Sequence, residues 1–456
     1  MTQNNDPDDD NGKGDDQGFD FPNPAPAQRR KLRPTFYETR LGRGAISRAA
    51  LLERIVDLFT AEHTPDNSAV RAAQTRAGRI KLVLPVVEYV LSVESVEASK
   101  DEKAELIATA YSEIFGFGPL DPLFNDETIT TITLESAEKV SIRRGHGDLE
   151  PLDVLFDDDG HMEEVVGRML MRADVAPWEG MSVVEAGFRL ENGRFLSMSL
   201  AAPPVTLAFS LDIRLHPLQR PTLDDLATRD TFTPDVLRVF RALVASDHGF
   251  MIVGQPECGK TMTLSALLAI LPNPSNAIAV ERTGEFHLPE GMASVRGRWP
   301  QSVDDPGITF GQQIDAQLDK GYRIVVLDEV RADEPHTIAP LLAMDDPPRM
   351  IWSVRASPDS KRLRAALGML ARRGDEANGE NLVRNLFERI PFVISLRRLN
   401  EEIQFREIGE WYYEPGDDSV RYQALLQQSM GEVFITGNIP RHLLPEVEET
   451  FWTAQG

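Results

Sequence analysis

The stretch Gly254 to Thr263 reads GQPECGKTMT, and it constrains the fold more tightly than any other ten residues of the chain. Gly254-Gln255-Pro256-Glu257-Cys258-Gly259-Lys260-Thr261 matches the pattern G-x-x-x-x-G-K-[ST], directly after the apolar run Phe250 to Val253 and before a helical pattern that opens at Met262. A strand, a tight turn and a helix in that order aim consecutive backbone N–H groups at one point, a cradle for phosphate. In such a loop Lys260 neutralises charge on the β- and γ-phosphates of a nucleotide, and the Thr261 hydroxyl is placed to coordinate Mg²⁺. A carboxylate at Glu257 is out of place among groups that receive anions. Its side chain can point away while its N–H still donates, but a glycine's tolerance of positive φ is lost there.

The surroundings of the loop alternate in kind. GFMIVG, NAIAVE, YRIVVLDEV and PRMIWSV read as short buried strands, and TMTLSALLAIL, ITFGQQIDAQLDK and DSKRLRAALGMLARR as helices, which predicts an α/β domain with a doubly wound parallel sheet. PFVISLRRLNEEIQFREIGEWYYEP reads as hairpin strands that finish it. Upstream, residues 45 to 115 carry apolar groups at helical spacing, with Pro85 interrupting the second stretch. TITTITL, KVSIRR and GRFLSMSL then surround the helical HMEEVVGRMLMRA, the pattern of an α+β domain. The expected division is a disordered acidic tail over 1–34, a helical segment over 35–115, an α+β domain over 116–217, a linker over 218–230 and the P-loop domain over 231–456.

Composition narrows the setting. The one cysteine, Cys258, excludes internal disulfides and four-cysteine zinc sites, so a reducing, cytoplasmic compartment is expected. The N-terminus lacks the charged-then-apolar pattern of a signal peptide, and no apolar run approaches the roughly 18 residues of a membrane helix. A formal charge of −24 repels a phosphate backbone, so no nucleic-acid partner is expected. The basic cluster Arg29 to Arg33 reads as solvated charge at the end of the tail.

Hydrolysis needs more than a phosphate loop. It takes an acid for the metal and a group that orients or deprotonates water. Asp328 and Glu329 close the apolar run Ile324 to Leu327, which suits Asp328 to hold Mg²⁺ through its water shell and Glu329 to stand near the γ-phosphate. Glu281 and Glu285 follow the strand Ala277 to Val280, whose end opens on the same sheet edge as the loop, so Glu285 can reach an attacking water.

Taken in order, these segments resemble the type II/IV secretion ATPases, most closely the branch of Flp (Tad) pilus assembly and conjugation, over roughly residues 100 to 450. GFGPLDPLFNDETITTITLESAEKVSIRRG resembles that family's opening segment, VVEAGFRLENGRFLSMSLAAPP its Asp-Gly-x-Arg strand and LDIRLHP its Ile-Arg-Lys strand. LDEVR resembles its Gly-Glu-Val-Arg, and VERTGEF its acidic box. The resemblance implies a RecA-like P-loop motor domain behind an α+β domain, arranged as a hexameric ring of identical subunits that bind ATP and Mg²⁺ between the domains. It implies work against an inner-membrane platform protein, so that the chain reaches the membrane peripherally, through partners. Lys260, Thr261, Glu285 and Glu329 then take the family's loop, acidic-box and second-strand roles. Arg194 and Arg214 match arginines that reach the nucleotide from the α+β domain, and Arg331 the arginine after the strand glutamate; a surface ion pair is the alternative for each.

The departures fall on the same edge. The family's histidine box aligns with SVRASP, so Arg355 replaces the histidine; Arg282 stands where the acidic box has Asp; Glu257-Cys258 replaces Gly-Ser. Asp328 supplies an aspartate where the family has glycine. No Cys-x-x-Cys pair is present, unlike the zinc-bearing type II branch. Two functions follow: a hydrolysing motor subunit, or a nucleotide-binding subunit of impaired turnover that regulates or completes a ring.

Overall fold

The structure is a computed structural model. It describes residues 36–38 and 45–453, other than 65–66, 146, 154, 177–180, 220, 229–231, 303, 332–333, 400–401, 417, 430 and 446. The tail expected over 1–34, with Arg29 to Arg33, lies outside the described residues, as does part of the expected linker. The described chain divides into two compact units between Asp126 and Glu127. No helix among the described residues is long and apolar enough to cross a membrane.

The first unit is mostly helical, with helices Arg48–Glu62, Ser68–Ala72, Arg76–Val93 and Lys100–Phe115 beside a short antiparallel strand pair, Phe36–Glu38 with Ala45–Ser47. Leu51, Ile55, Val83, Val87 and Leu106 are sealed in its core. Pro85 does not interrupt its helix: Arg76–Val93 runs through it. A proline forfeits one hydrogen bond of the ladder. Val83, Val86, Val87, Val90 and Leu91, buried on both sides of it, keep the two halves in line. Ser99 and Glu102 form a reciprocal capping box at the start of the last long helix.

The second unit holds two sheets. One is a six-stranded antiparallel sheet in the order Glu150–Pro151, Lys139–Arg144, Ile129–Ser136, Ser210–Leu215, Phe195–Ala201, Val183–Arg189. With the helix Asp159–Arg172, whose Met162, Val165, Val166, Met169 and Leu170 are buried, it makes the α+β part.

The other sheet has nine strands. Six are parallel, in the order Ala293–Arg296, Ala277–Glu281, Ile324–Val330, Arg349–Arg355, Phe250–Gly254, Phe392–Leu399. The antiparallel strands Glu402–Tyr412, Arg421–Ser429 and Glu432–Ile435 complete it. Side chains alternate between its faces: Phe250, Ile252 and Ile351 join one core, Met251, Val253 and Trp352 the other. Helices Pro234–Ala245 and Lys260–Leu268 feed the first core, and Phe310–Leu318, Pro335–Ala343, Ser360–Gly374 and Gly379–Arg389 the second. A sheet buried on both faces explains why these strands read as continuous apolar runs. The fold is therefore α/β and doubly wound, of the RecA-like P-loop type, with one strand, Arg349–Arg355, between the strand that ends in the phosphate loop and the strand that ends in Asp328 and Glu329.

Two polar clasps fix the rear of this sheet. Arg349 donates to the carbonyls of Leu243, Val244 and His248, capping the C-terminal end of Pro234–Ala245. Burial pulls its guanidinium pKa down to about 10. Glu410 is completely buried and accepts four N–H groups: from His442 N and Nδ1 at 2.6 and 2.7 Å, and from Arg441 N and Gln423 Nε2, both at 2.8 Å.

Candidate functional site

The loop Gly254 to Thr261 sits at the carboxyl edge of the parallel strands, where α/β sheets place their ligands. Its glycines are fixed by contact. A Cβ on Gly254 would lie 2.3 Å from Cys258 Sγ and 2.7 Å from Leu396 O; one on Gly259, at φ +84°, would meet Ile403 Cδ1 at 2.7 Å. Cys258 is thus packing: its thiol is sealed beneath the loop, and burial raises its pKa. Gly259 then starts the helix Lys260–Leu268 without a side-chain cap of its own for the first N–H groups, those of Lys260, Thr261 and Met262, where an anion would be held.

Glu257 takes the backbone conformation that a glycine would, at φ +63°. Its side chain is 33% exposed, yet its carboxylate is met by arginines. Arg143 Nη1 lies 3.0 and 3.1 Å from its two oxygens, Arg398 Nη1 is 2.8 Å away and Arg214 Nη2 3.7 Å. Arg143 and Arg214 come from the antiparallel sheet and Arg398 from the strand beside the loop strand.

Lys260 is 7% exposed, and its ammonium folds back onto Gly254 O and Gln255 O, both at 3.1 Å. Burial lowers its pKa; Glu329 is close enough to oppose that shift, and Arg355 and Arg214 close enough to add to it. Arg214 lies 3.7 Å from Glu257 in the loop, and the strand that carries Glu329 adjoins the one that carries Arg355. Strand register pairs Arg355 with Gly254.

Asp328 and Glu329 occupy a register shift between Leu327 and Val330, an irregularity that re-aims side chains at the strand end. Glu329 is oriented by Arg331, whose Nε is 2.7 Å from it and whose Nη2 is 2.9 Å from Glu185 on the strand Val183–Arg189. Arg331 is thus held by two carboxylates. Glu285 faces His216, Nε2 to Oε1 3.7 Å, and the same ring nitrogen is 3.0 Å from Ser197 Oγ. Glu281 is spent on structure, accepting from Phe286 N at 2.7 Å and Ser294 Oγ at 2.5 Å. Arg282 lies over the Phe310 ring, pairs with both oxygens of Glu334 and donates to Glu329 O. A cation in place of the acidic box's aspartate accordingly holds the end of the acid strand. Arg194 is 2% exposed and donates to Ile129 O at 2.8 Å and His216 O at 3.3 Å, so its guanidinium is engaged with backbone of its own sheet.

Asp328 accepts from Arg282 N at 2.5 Å through one oxygen, while the other, Oδ1, is sealed without a partner. Burial, reinforced by Glu281 and Glu285, pushes its carboxyl well above the usual range. A carboxylate with a sealed, unpartnered oxygen among other acids is a fit for a divalent cation or a proton. Among the described residues no three His, Cys, Asp or Glu side chains are placed to hold a metal ion by themselves, so Mg²⁺ here would rely on Thr261, an acid, phosphate oxygens and water. Because the folded state holds this proton more tightly than the unfolded one, stability falls as pH rises above the ordinary aspartate value of 3.8 toward the raised one. Asp328→Asn is expected to flatten that part of the urea-unfolding profile and to raise stability at neutral pH without Mg²⁺. An unchanged profile would mean that Asp328 is not the strained group.

Arg143, Arg398, Glu185, Glu334 and His216 were not singled out in the sequence. His216 carries a signal, lying one residue beyond the strand that delivers Arg214. The others are basic and acidic residues like many on the surface.

No protein-family model and no curated protein sequence matches the chain. Solved structures do. The VirB11 ATPase from the Brucella suis type IV secretion system, in complex with sulphate, is similar over 68% of this chain and 96% of that one, at 19% identity and a TM-score of 0.33. The Legionella pneumophila ATPase DotB is similar over 67% and 84%, at 13% identity and 0.46. The pilus retraction motor PilT with bound ADP is similar over 66% and 80%, at 13% identity and 0.41.

Proposed function

We propose that the chain is an ATP-hydrolysing motor subunit of a Flp/Tad-like pilus or a type II/IV secretion machine, working as a cytoplasmic ring of identical copies against an inner-membrane platform protein. The observation that carries this reading is the pairing of Arg355 with Gly254 in strand register, with Arg214 3.7 Å from Glu257 and Lys260 folded onto Gly254 O and Gln255 O, all at the edge where the loop lies. In it Lys260 leaves Gly254 O and Gln255 O to face the β- and γ-phosphates, and the loop amides hold them. Thr261 and Asp328 would hold Mg²⁺, which would neutralise charge on the phosphates. Glu285 takes the proton of the attacking water as its oxygen bonds to the γ-phosphorus and the bond to ADP breaks, with His216 positioned beside it. Arg331 holds Glu329 toward the phosphates, and Arg214 and Arg355 balance the charge that develops there.

The second reading, a ring subunit that binds nucleotide but turns it over slowly or not at all, is favoured by the carboxylate of Glu257 sitting among the arginines. A turnover assay with Mg-ATP separates the two. Glu285→Gln and Glu329→Gln are each expected to lower turnover by about a hundredfold or more while nucleotide still binds, since each removes a carboxylate without changing side-chain size. Turnover that survives both substitutions would place the hydrolytic site elsewhere; no turnover in the unsubstituted protein, with binding intact, would select the second reading.

A further inference from the structure

The arginines around Glu257 are more than that one carboxylate needs. Each guanidinium has five donors and a full charge, whereas a carboxylate offers about four acceptor sites and one charge. Among the described residues Glu257 is the sole acidic partner of Arg143 and of Arg214. Arg143 Nε is sealed with no acceptor at all. Such a cluster is matched to an anion with more oxygens and more charge than it now holds. Glu257 reaches it from the loop that would cradle a phosphate, and does so at a backbone conformation that disfavours every residue with a Cβ.

We infer that Glu257 is an internal competitor of the nucleotide: its carboxylate stands in the arginine cluster where the polyphosphate of the incoming ligand takes over. This rests on the loop being a nucleotide site. Entry of a triphosphate exchanges one carboxylate for several phosphate oxygens on Arg143, Arg214 and Arg398 and releases Glu257 from them. A ligand with fewer phosphates makes the exchange less well, so the same contact lets the site discriminate by phosphate number. The loop is thereby held shut until a sufficiently charged nucleotide arrives, a form of gating that a glycine at position 257 would not provide.

The test is calorimetric binding of the β,γ-imido analogue of ATP with Mg²⁺, and of AMP, to the full chain and to Glu257→Gln, Glu257→Gly and Lys260→Ala. Glu257→Gln removes the charge and keeps the side chain; Glu257→Gly removes the backbone strain as well. The expected result is that both Glu257 variants bind the triphosphate about tenfold more tightly, as loss of a charge-assisted competitor implies. AMP should change little. In the Glu257→Gln background, Arg143→Ala should weaken the triphosphate more than it does in the unsubstituted chain, where it removes a contact to ligand and to competitor together. A gain in Glu257→Gly alone would assign the effect to backbone strain and overturn the competitor. Unchanged or weaker binding by Glu257→Gln, with binding still lost in Lys260→Ala, would overturn it while leaving the nucleotide site standing. Absence of binding in every form would remove both.

Discussion

Lys260→Ala is expected to lower Mg-nucleotide affinity by about a hundredfold or more, with little harm to the fold. Hydrogen bonds that involve a charged group contribute roughly 1.5–3 kcal/mol each, and one ammonium facing two phosphates makes more than one of them. Among the described residues its hydrogen-bond partners are two backbone carbonyls, Gly254 O and Gln255 O. Burial already disfavours its charge, and Arg355 and Arg214 disfavour it further. The free protein therefore gives up a poorly placed cation, and the cost of the substitution falls on the bound state. Calorimetry with the imido analogue measures it. Equal affinity in the two proteins would sink the assignment of the loop.

Glu410→Ala is expected to cost about 3 kcal/mol or more, since each buried donor left without an acceptor costs about 1–3 kcal/mol. The alanine would leave the amides of Arg441 and His442, the Gln423 carboxamide and the His442 ring facing a cavity. Two of these are backbone donors that cannot turn away. Urea unfolding of the variant reports the loss, and cleavage near residues 436–445 under limited proteolysis would show whether it is felt first where that segment meets the strand Glu402–Tyr412. Full stability in both measurements would mean that water satisfies these groups. Glu410→Gln should fall between, since an amide keeps the shape but can accept at only one of its two ends.

The sequence carried the fold in proportion to how local its signals were. Four of the six parallel strands of the loop-bearing sheet are apolar on both faces and legible within a few residues, as is the loop from its spacing; Ala293–Arg296, short and alternately exposed, carries no such signal, and Phe392–Leu399 reads as a hairpin strand although it also pairs in parallel with Phe250–Gly254. Pro85 was misread because a proline's local cost can be outweighed by packing on both sides of it, and packing is not written nearby. The site divides in the same way. Lys260, Glu285 and Glu329 follow from motif and strand position. Arg143 and Arg398 are 114 and 141 residues from Glu257, and Glu185 is 146 from Arg331, so no local pattern could join them. Arg282 looked like the loss of an acidic group; in the fold its guanidinium lies against Phe310 and Glu334 and steadies the strand that carries Glu329. Arg194, placed by motif, gives two of its donors to Ile129 O and His216 O, contacts that no local pattern announces.

Arg331 joins Glu329, on the sheet that bears the loop, to Glu185, on the antiparallel sheet, through contacts of 2.7 and 2.9 Å. Viewed mechanically, this is a short strut between two plates. A displacement of the antiparallel sheet by as little as the length tolerance of a hydrogen bond, a few tenths of an ångström, must either part the strut or turn the carboxylate at its other end. Coupling of this kind runs both ways. In a motor of the proposed kind, load on one plate would slow the chemistry at the other, and a stalled cargo would throttle fuel use through a single guanidinium.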